Sequence, residues 1–201
     1  MLNKTLQVLV TLIGAVLAGC ATTYQPLQVD STSGQYRTSI KVDPGGVQTF
    51  VTTTDPLTYP VILLTAESNY SPSKFEFMVR SVLAQAGMTA VYNTEEFKNY
   101  AADRHFDAAA PSVNAEMVQK FSKQIAPVLL VNSKYTTGEN AWVRVELQIQ
   151  DAGTGQVLLR VDHNRLVWLS FDSEALYPVL NRLREWVKAS AKGTNNAKGS
   201  T

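Results

Sequence analysis

One cysteine, at position 20, is all that 201 residues contain, so no disulfide can form within the chain. The fold must therefore be held by packing, even in an oxidising compartment. Histidine is almost as scarce: His105 and His163 lie far apart and in no metal-ligand spacing. An excess of charge of either sign is also missing, with 18 Lys+Arg against 17 Asp+Glu. That balance leaves no electrostatic footprint for nucleic acid. The chain has no G-x-S-x-G, no H-E-x-x-H and no glycine loop opening a helix onto a phosphate. Gly153-Thr154-Gly155 lies between two strand patterns and is turn chemistry. Asp103-Arg104-His105-Phe106-Asp107 reads as a solvated loop before it reads as a carboxylate–histidine site, and Asp162-His163-Asn164-Arg165 takes the same discount. The expectation is a chain that is not an enzyme and binds no metal or cofactor. Long apolar runs are absent too: the one from Leu6 to Leu17 falls short of the about 20 residues that cross a bilayer.

What is present begins with that run. Met1-Leu2-Asn3-Lys4 is weakly basic, the apolar stretch follows, and Leu17-Ala18-Gly19 leads into Cys20. The order is that of a secretory signal peptide over residues 1–19. Leu17-Ala18-Gly19-Cys20 resembles the lipobox of bacterial lipoproteins. The resemblance implies that Cys20 carries a diacylglycerol on sulfur and becomes the acylated first residue of the mature chain. Each CH2 of fatty acyl chains such as palmitate contributes about 0.8 kcal/mol, and two or more chains anchor stably. An ordinary cleaved signal with a coincidental cysteine is the competing reading. Within the lipoprotein class, Ala21 in place of an aspartate implies sorting to the outer membrane of a Gram-negative cell, with the domain facing the periplasm. Cys20 is then spent on lipid and is no nucleophile.

Residues 20–35 are rich in Thr, Ser, Gln and Pro without period and read as a tether. Two β-rich runs, Tyr36–Val42 and Val47–Val51, flank Asp43-Pro44-Gly45-Gly46 and suggest a β-hairpin within residues 36–57, with a structured linker as the alternative. The main domain is expected over 58–190. Pro60–Thr65 has the continuous apolar character of a strand buried on both faces. Ser71-Pro72 opens a helix with Phe75, Met78, Val79, Val82, Leu83 and Ala86 on one side, closed by Gly87. Met88–Tyr92 reads as a second strand, Glu95–Ala102 as a helical turn, and the polar, alanine-rich stretch from there to Pro111 as loop. Ser112–Ile125 reads as a helix through Val113, Met117, Val118, Phe121 and Ile125, and Val128–Val131 as a third strand. Ala141, Val143, Val145, Leu147 and Ile149 then alternate with Trp142, Arg144, Glu146, Gln148 and Gln150, a strand with one wet face. Asp151–Gly155 turns the chain, Val157, Leu159 and Val161 return, and the phase blurs near His163, where a bulge is expected. A final helix carries Leu176, Leu180, Leu183 and Val187, its regular part starting at or near Pro178, and 191–201 reads as a flexible tail.

The fold class that follows is α/β (α+β): a single mixed sheet of about five strands with two to three helices. Trp142 and Arg144 share the wet face, and an aromatic beside an arginine is the composition of a contact hot spot. A covering segment over Trp142 is the competing reading, and Trp168 and Trp186 are expected to pack. The element order, with Gln150-Asp151-Ala-Gly-Thr-Gly-Gln-Val-Leu158, is similar to a recurring periplasmic module. It occurs in the amino-terminal domain of the Tol-system propeller protein and in the curli-secretion and penicillin-binding-protein-activator lipoproteins. No partner-site residue carries over from that group. The expected function is a non-enzymatic binding or assembly module of the cell envelope, with an envelope protein or a second copy as partner. The alternative is a small-ligand or lipid-binding auxiliary lipoprotein of an envelope transport system, which would need an apolar pocket.

Overall fold

The computed structural model describes residues 29–50, 58–68, 72–88, 90–108, 112–168 and 172–198. The signal segment 1–19, Cys20 and the tether up to residue 28 lie outside the described residues, as do 51–57 of the expected hairpin region and 199–201 of the expected tail. Within them the apolar segments form β1 (Val47–Thr49), β2 (Val61–Ser68), β3 (Val91–Tyr92), β4 (Leu129–Thr137), β5 (Trp142–Asp151) and β6 (Val157–Leu166). These make one mixed sheet in the order β1-β6-β5-β4-β2-β3. β3, β2 and β4 are parallel, whereas β4, β5, β6 and β1 alternate in direction. Four helices accompany it: α1 (Pro72–Gln85), α2 (Thr94–Ala102), α3 (Ala115–Gln124) and α4 (Tyr177–Lys198). A π-helical turn, Asp172–Leu176, leads into the last.

The sheet has two unlike sides. On one, Met78, Val82 and Leu83 of α1 and Val179, Leu180, Leu183 and Val187 of α4 bury Val131, Val143, Val145, Leu147, Ile149 and Val161. On the other, α2 and α3 cover only the parallel part, where Phe97, Val118 and Phe121 pack on Ile62 and Leu130. Val61, Ile62 and Leu63 are consequently buried in succession, as an unbroken apolar strand demands. Along β5 burial alternates, because only one side of that strand faces the helices.

Local chemistry sets the helix ends. α1 stops at Gly87, whose φ of +103° suits a residue without a Cβ. There Gly87 N–H donates to the Ala84 carbonyl and Met88 N–H to that of Leu83, closing a Schellman motif. α2 starts in a capping box: Glu96 N–H donates to Asn93 Oδ1 (2.8 Å) and Asn93 N–H to Glu96 Oε2 (2.9 Å). The helical turn expected over Glu95–Ala102 is thus a nine-residue helix. α3 begins three residues later than Ser112, because Asn114 rather than the serine caps it.

Four expectations are corrected. The Asp43–Gly46 turn forms, but among the described residues no hairpin does: β1 pairs with β6 and becomes the sixth strand. The segment before the turn instead buries Tyr36 and Val42 against the helical side, which two widely spaced apolar residues allow without strand pairing. The bulge lies at Leu158, not His163: Ile149 opposes Leu159 and Gln150 opposes Val157, so one residue is extra. It turns Leu158 and Leu159 inward together. Ala141 is exposed with φ of 62° in the turn before β5, one residue outside the alternation it was expected to join. The backbone of α4 runs on to Lys198 in place of a tail from Ala191. With no proline to stop it, an established helix extends at a cost of only tenths of a kcal/mol for most residues, and about 1 for Gly193.

Candidate functional site: the uncovered sheet face

Alternation along β5 puts Trp142, Arg144, Glu146, Gln148 and Gln150 on the side opposite α1 and α4. The register then fixes their neighbours. Arg144 stands between Thr136 and Asn164, Glu146 between Lys134 and Asp162, and Gln148 between Asn132 and Arg160. Gln48 of β1 extends this row beyond Arg160. Among the described residues no helix lies over this part of the sheet, because α2 and α3 stop at the Ile62–Leu130 end.

Arg144 organises the face. Its Nε and Nη2 donate to Asp162 Oδ1 (3.0 Å) and Oδ2 (2.6 Å), a fork-on-fork pair, and Nη2 also lies 3.1 Å from Glu146 Oε1. The hydrogen bonds from Arg144 hold the Asp162 carboxyl below the usual carboxylate range, and the same bonds raise the arginine. Both are ions throughout the neutral range and are poor proton-transfer groups. What they offer is a rigid row of donors and acceptors. Beside them lies a hollow of about 400 Å³ lined by Asp43, Gly46, Gln48, Arg144, Arg160 and Asp162, among others. Its wall needs glycine at position 46, since a Cβ there would meet the Asp162 carbonyl oxygen at 2.2 Å.

The two residues singled out from sequence are neighbours on this face. Trp142 is 47 % exposed, with no described segment burying it, and Arg144 is exposed. Asp162, the arginine's closest partner, was missed because sequence gives no register between β5 and β6, and the phase of β6 blurs at His163 beside it. Trp186 packs as expected, but Trp168 is 79 % exposed at the end of β6.

The histidines are elsewhere. His163 points to the opposite, helical side, where it is buried and its Nε2 lies 3.1 Å from the Glu174 carbonyl oxygen. Burial pushes its pKa down, so it stays neutral. His105 is exposed at the end of α2 with φ of 57°. Among the described residues no group of His, Cys, Asp and Glu is placed to hold a metal. A larger surface hollow, about 660 Å³, lies at the other edge between α1 and β3 and includes Phe77, Arg80 and Met88. Arg80 is occupied there by Glu96 and the Val91 carbonyl.

No protein-family model matches the chain, and no curated protein matches it. Solved structures resemble it distantly. The PelC dodecamer from Paraburkholderia phytofirmans is 15 % identical at a TM-score of 0.36, over 72 % of this chain and 94 % of that one. The LpoB C-terminal domain from Escherichia coli is 14 % identical at 0.38, over 56 % and 87 %. Lipoprotein GNA1162 from Neisseria meningitidis is 15 % identical at 0.33, over 69 % and 99 %. At such TM-scores these likenesses say nothing of function.

Proposed function

We propose that the chain is an outer-membrane-anchored lipoprotein whose periplasmic domain is a non-enzymatic binding or assembly module of the cell envelope. The Leu17-Ala18-Gly19-Cys20 sequence supports the anchor. The observation that carries the binding role is the bare face of β5 and β6, with Trp142 half-exposed beside the Arg144–Asp162 pair. Such a face combines a desolvatable aromatic with preset polar groups, the ingredients of a contact centre. The carrier reading is less well supported, because the space between sheet and helices is filled by Tyr135, Met78, Leu83, Leu147 and Ile149, each almost fully buried.

In this reading the lipid fixes the location and the local concentration, while the face supplies recognition. The partner is an envelope protein or a second copy of the chain. The test is capture from detergent-solubilised envelopes, with Trp142→Ala against wild type. A contact anchor contributes about 2 kcal/mol or more to binding, whereas an exposed side chain alters stability by about 0.5 kcal/mol at most. Capture should therefore fall while the unfolding midpoint holds. Stability lost with capture preserved would reject the face as the contact. Sedimentation of the captured species separates self-assembly from a different partner. For the anchor, Cys20→Ser should abolish incorporation of a fatty-acid probe, and normal labelling of that variant would remove it.

A further inference from the structure

We infer that the end of the sheet bearing Trp168, Leu166 and Trp142 seats in the lipid surface that holds the chain, an inference that rests on the proposed acylation of Cys20. The turn before β5 and the end of β6 meet there: Trp142 opposes Leu166, and Val167 N–H donates to the Ala141 carbonyl (3.0 Å). Trp168 lies two residues beyond Leu166 and is 79 % exposed, and Trp142 is 47 % exposed. Two indoles left in water at one end of a domain are costly. An indole, with an apolar body and one N–H, is the side chain most at home where headgroups meet acyl chains.

The route of the chain brings this end to the membrane. Trp168 N–H donates to Glu174 Oε2, and His163 Nε2 contacts the Glu174 carbonyl oxygen, so the turn that opens α4 lies against the finishing end of β6. Tyr177, the first residue of α4, stacks on Tyr36 with ring centres 5.0 Å apart. Asn181 exchanges two hydrogen bonds with the Tyr36 backbone, and Val29 bridges to Tyr36. The first described residue is therefore fixed beside the start of α4, at the end of the sheet where the tryptophans stand. From Cys20 to Val29 the chain can span only about 30 Å, at about 3.3 Å per residue. The lipid surface is thus within reach of this end. No basic cluster occurs there among the described residues, so seating requires no anionic lipid. With β5 running away from the bilayer, the Arg144 face stands beside the membrane rather than against it. Trp142 occupies the corner between the two surfaces.

The experiment uses the full mature lipoprotein in phosphatidylcholine vesicles whose acyl chains carry bromine, with the acyl mass on Cys20 measured on the same sample. Bromine quenches tryptophan only on close approach. Quenching should be marked in wild type, reduced in Trp168→Ala, and lost in Trp142→Ala/Trp168→Ala, where buried Trp186 remains. Added salt should leave it unchanged. An acylated protein without quenching, or with quenching indifferent to Trp168→Ala, overturns the inference. Protection of Trp168 from aqueous acrylamide without bromolipid quenching does so too, and assigns the end to a protein contact. Absence of acyl mass removes the anchor reading itself, and this inference with it. Unaltered unfolding midpoints of the variants exclude misfolding as the cause.

Discussion

Replacing Leu147 and Gln148 separately with aspartate tests the sheet's two-sidedness within one dipeptide. Leu147 is 1 % exposed, lies between Ser133 and Val161 on neighbouring strands, and belongs to the core beneath α1 and α4. Truncating such a leucine costs about 2–5 kcal/mol. A carboxyl in its place must also be buried, which raises its pKa by up to about 3–5 units, at about 1.4 kcal/mol per unit. A loss of about 5 kcal/mol or more is expected for Leu147→Asp, comparable with the whole stability of many domains. Gln148 faces the other way, between Asn132 and Arg160, and gives up one side-chain hydrogen bond to Gln150. An aspartate there meets the Arg160 guanidinium across the strand, so Gln148→Asp should stay within about 0.5 kcal/mol of wild type. Equilibrium urea unfolding reads both. With a slope of about 2 kcal/mol per molar, the first variant's midpoint drops by about 2 M or more and the second's hardly moves. Equal drops would refute the reasoning, since they would mean that both sides of β5 are buried in solution.

Two further outcomes follow from particular residues. His163 has a folded pKa lowered by burial from its ordinary 6.5, so the unfolded chain binds its proton first on acidification. Its stabilising contribution is complete above about pH 6.5 and is lost as pH falls below that value toward the folded pKa. The melting temperature should fall between pH 7.5 and 5.5, and less steeply in His163→Gln; parallel profiles would show that His163 is solvated in the native state. Gly87→Ala forces a Cβ into φ of +103° and should cost about 1–2 kcal/mol in urea unfolding, an unchanged midpoint being the contrary result.

Where the sequence carried a strong period, the elements could be read from it. The alternation from Val143 to Ile149 and the Pro72 start and Gly87 stop of α1 recur in the structure. So does the buried character of Val61–Leu63. The errors arose where a distant partner decides. Val47–Thr49 is β-prone whichever strand it joins, and nothing local told that β6 would win over Tyr36–Val42. The bulge at Leu158 turned Val157 rather than Leu158 outward, and the diagonal pairing of Asp162 with Arg144 depends on the β5–β6 register, which no local pattern states. Of the candidate face, Trp142 and Arg144 were legible and Asp162, Asn164 and the Gly46 wall were not. Trp168 was misjudged because a tryptophan just past a strand's end has no period to say which way it points.

The reciprocal pair between Tyr36 and Asn181 has a mechanical consequence. Tension applied to the chain upstream of Val29 enters the domain through that clasp and through the Tyr36–Tyr177 stack, and so is passed to α4 before it can reach the sheet. β1 is held by only three residues' pairing with β6, and pulled directly from its end it would peel one hydrogen-bonded pair at a time. Placed after the clasp, it is shielded. A pull on that segment meets two side-chain–backbone hydrogen bonds and a ring stack before it reaches β1. This short edge of the sheet is thereby kept out of the line of force.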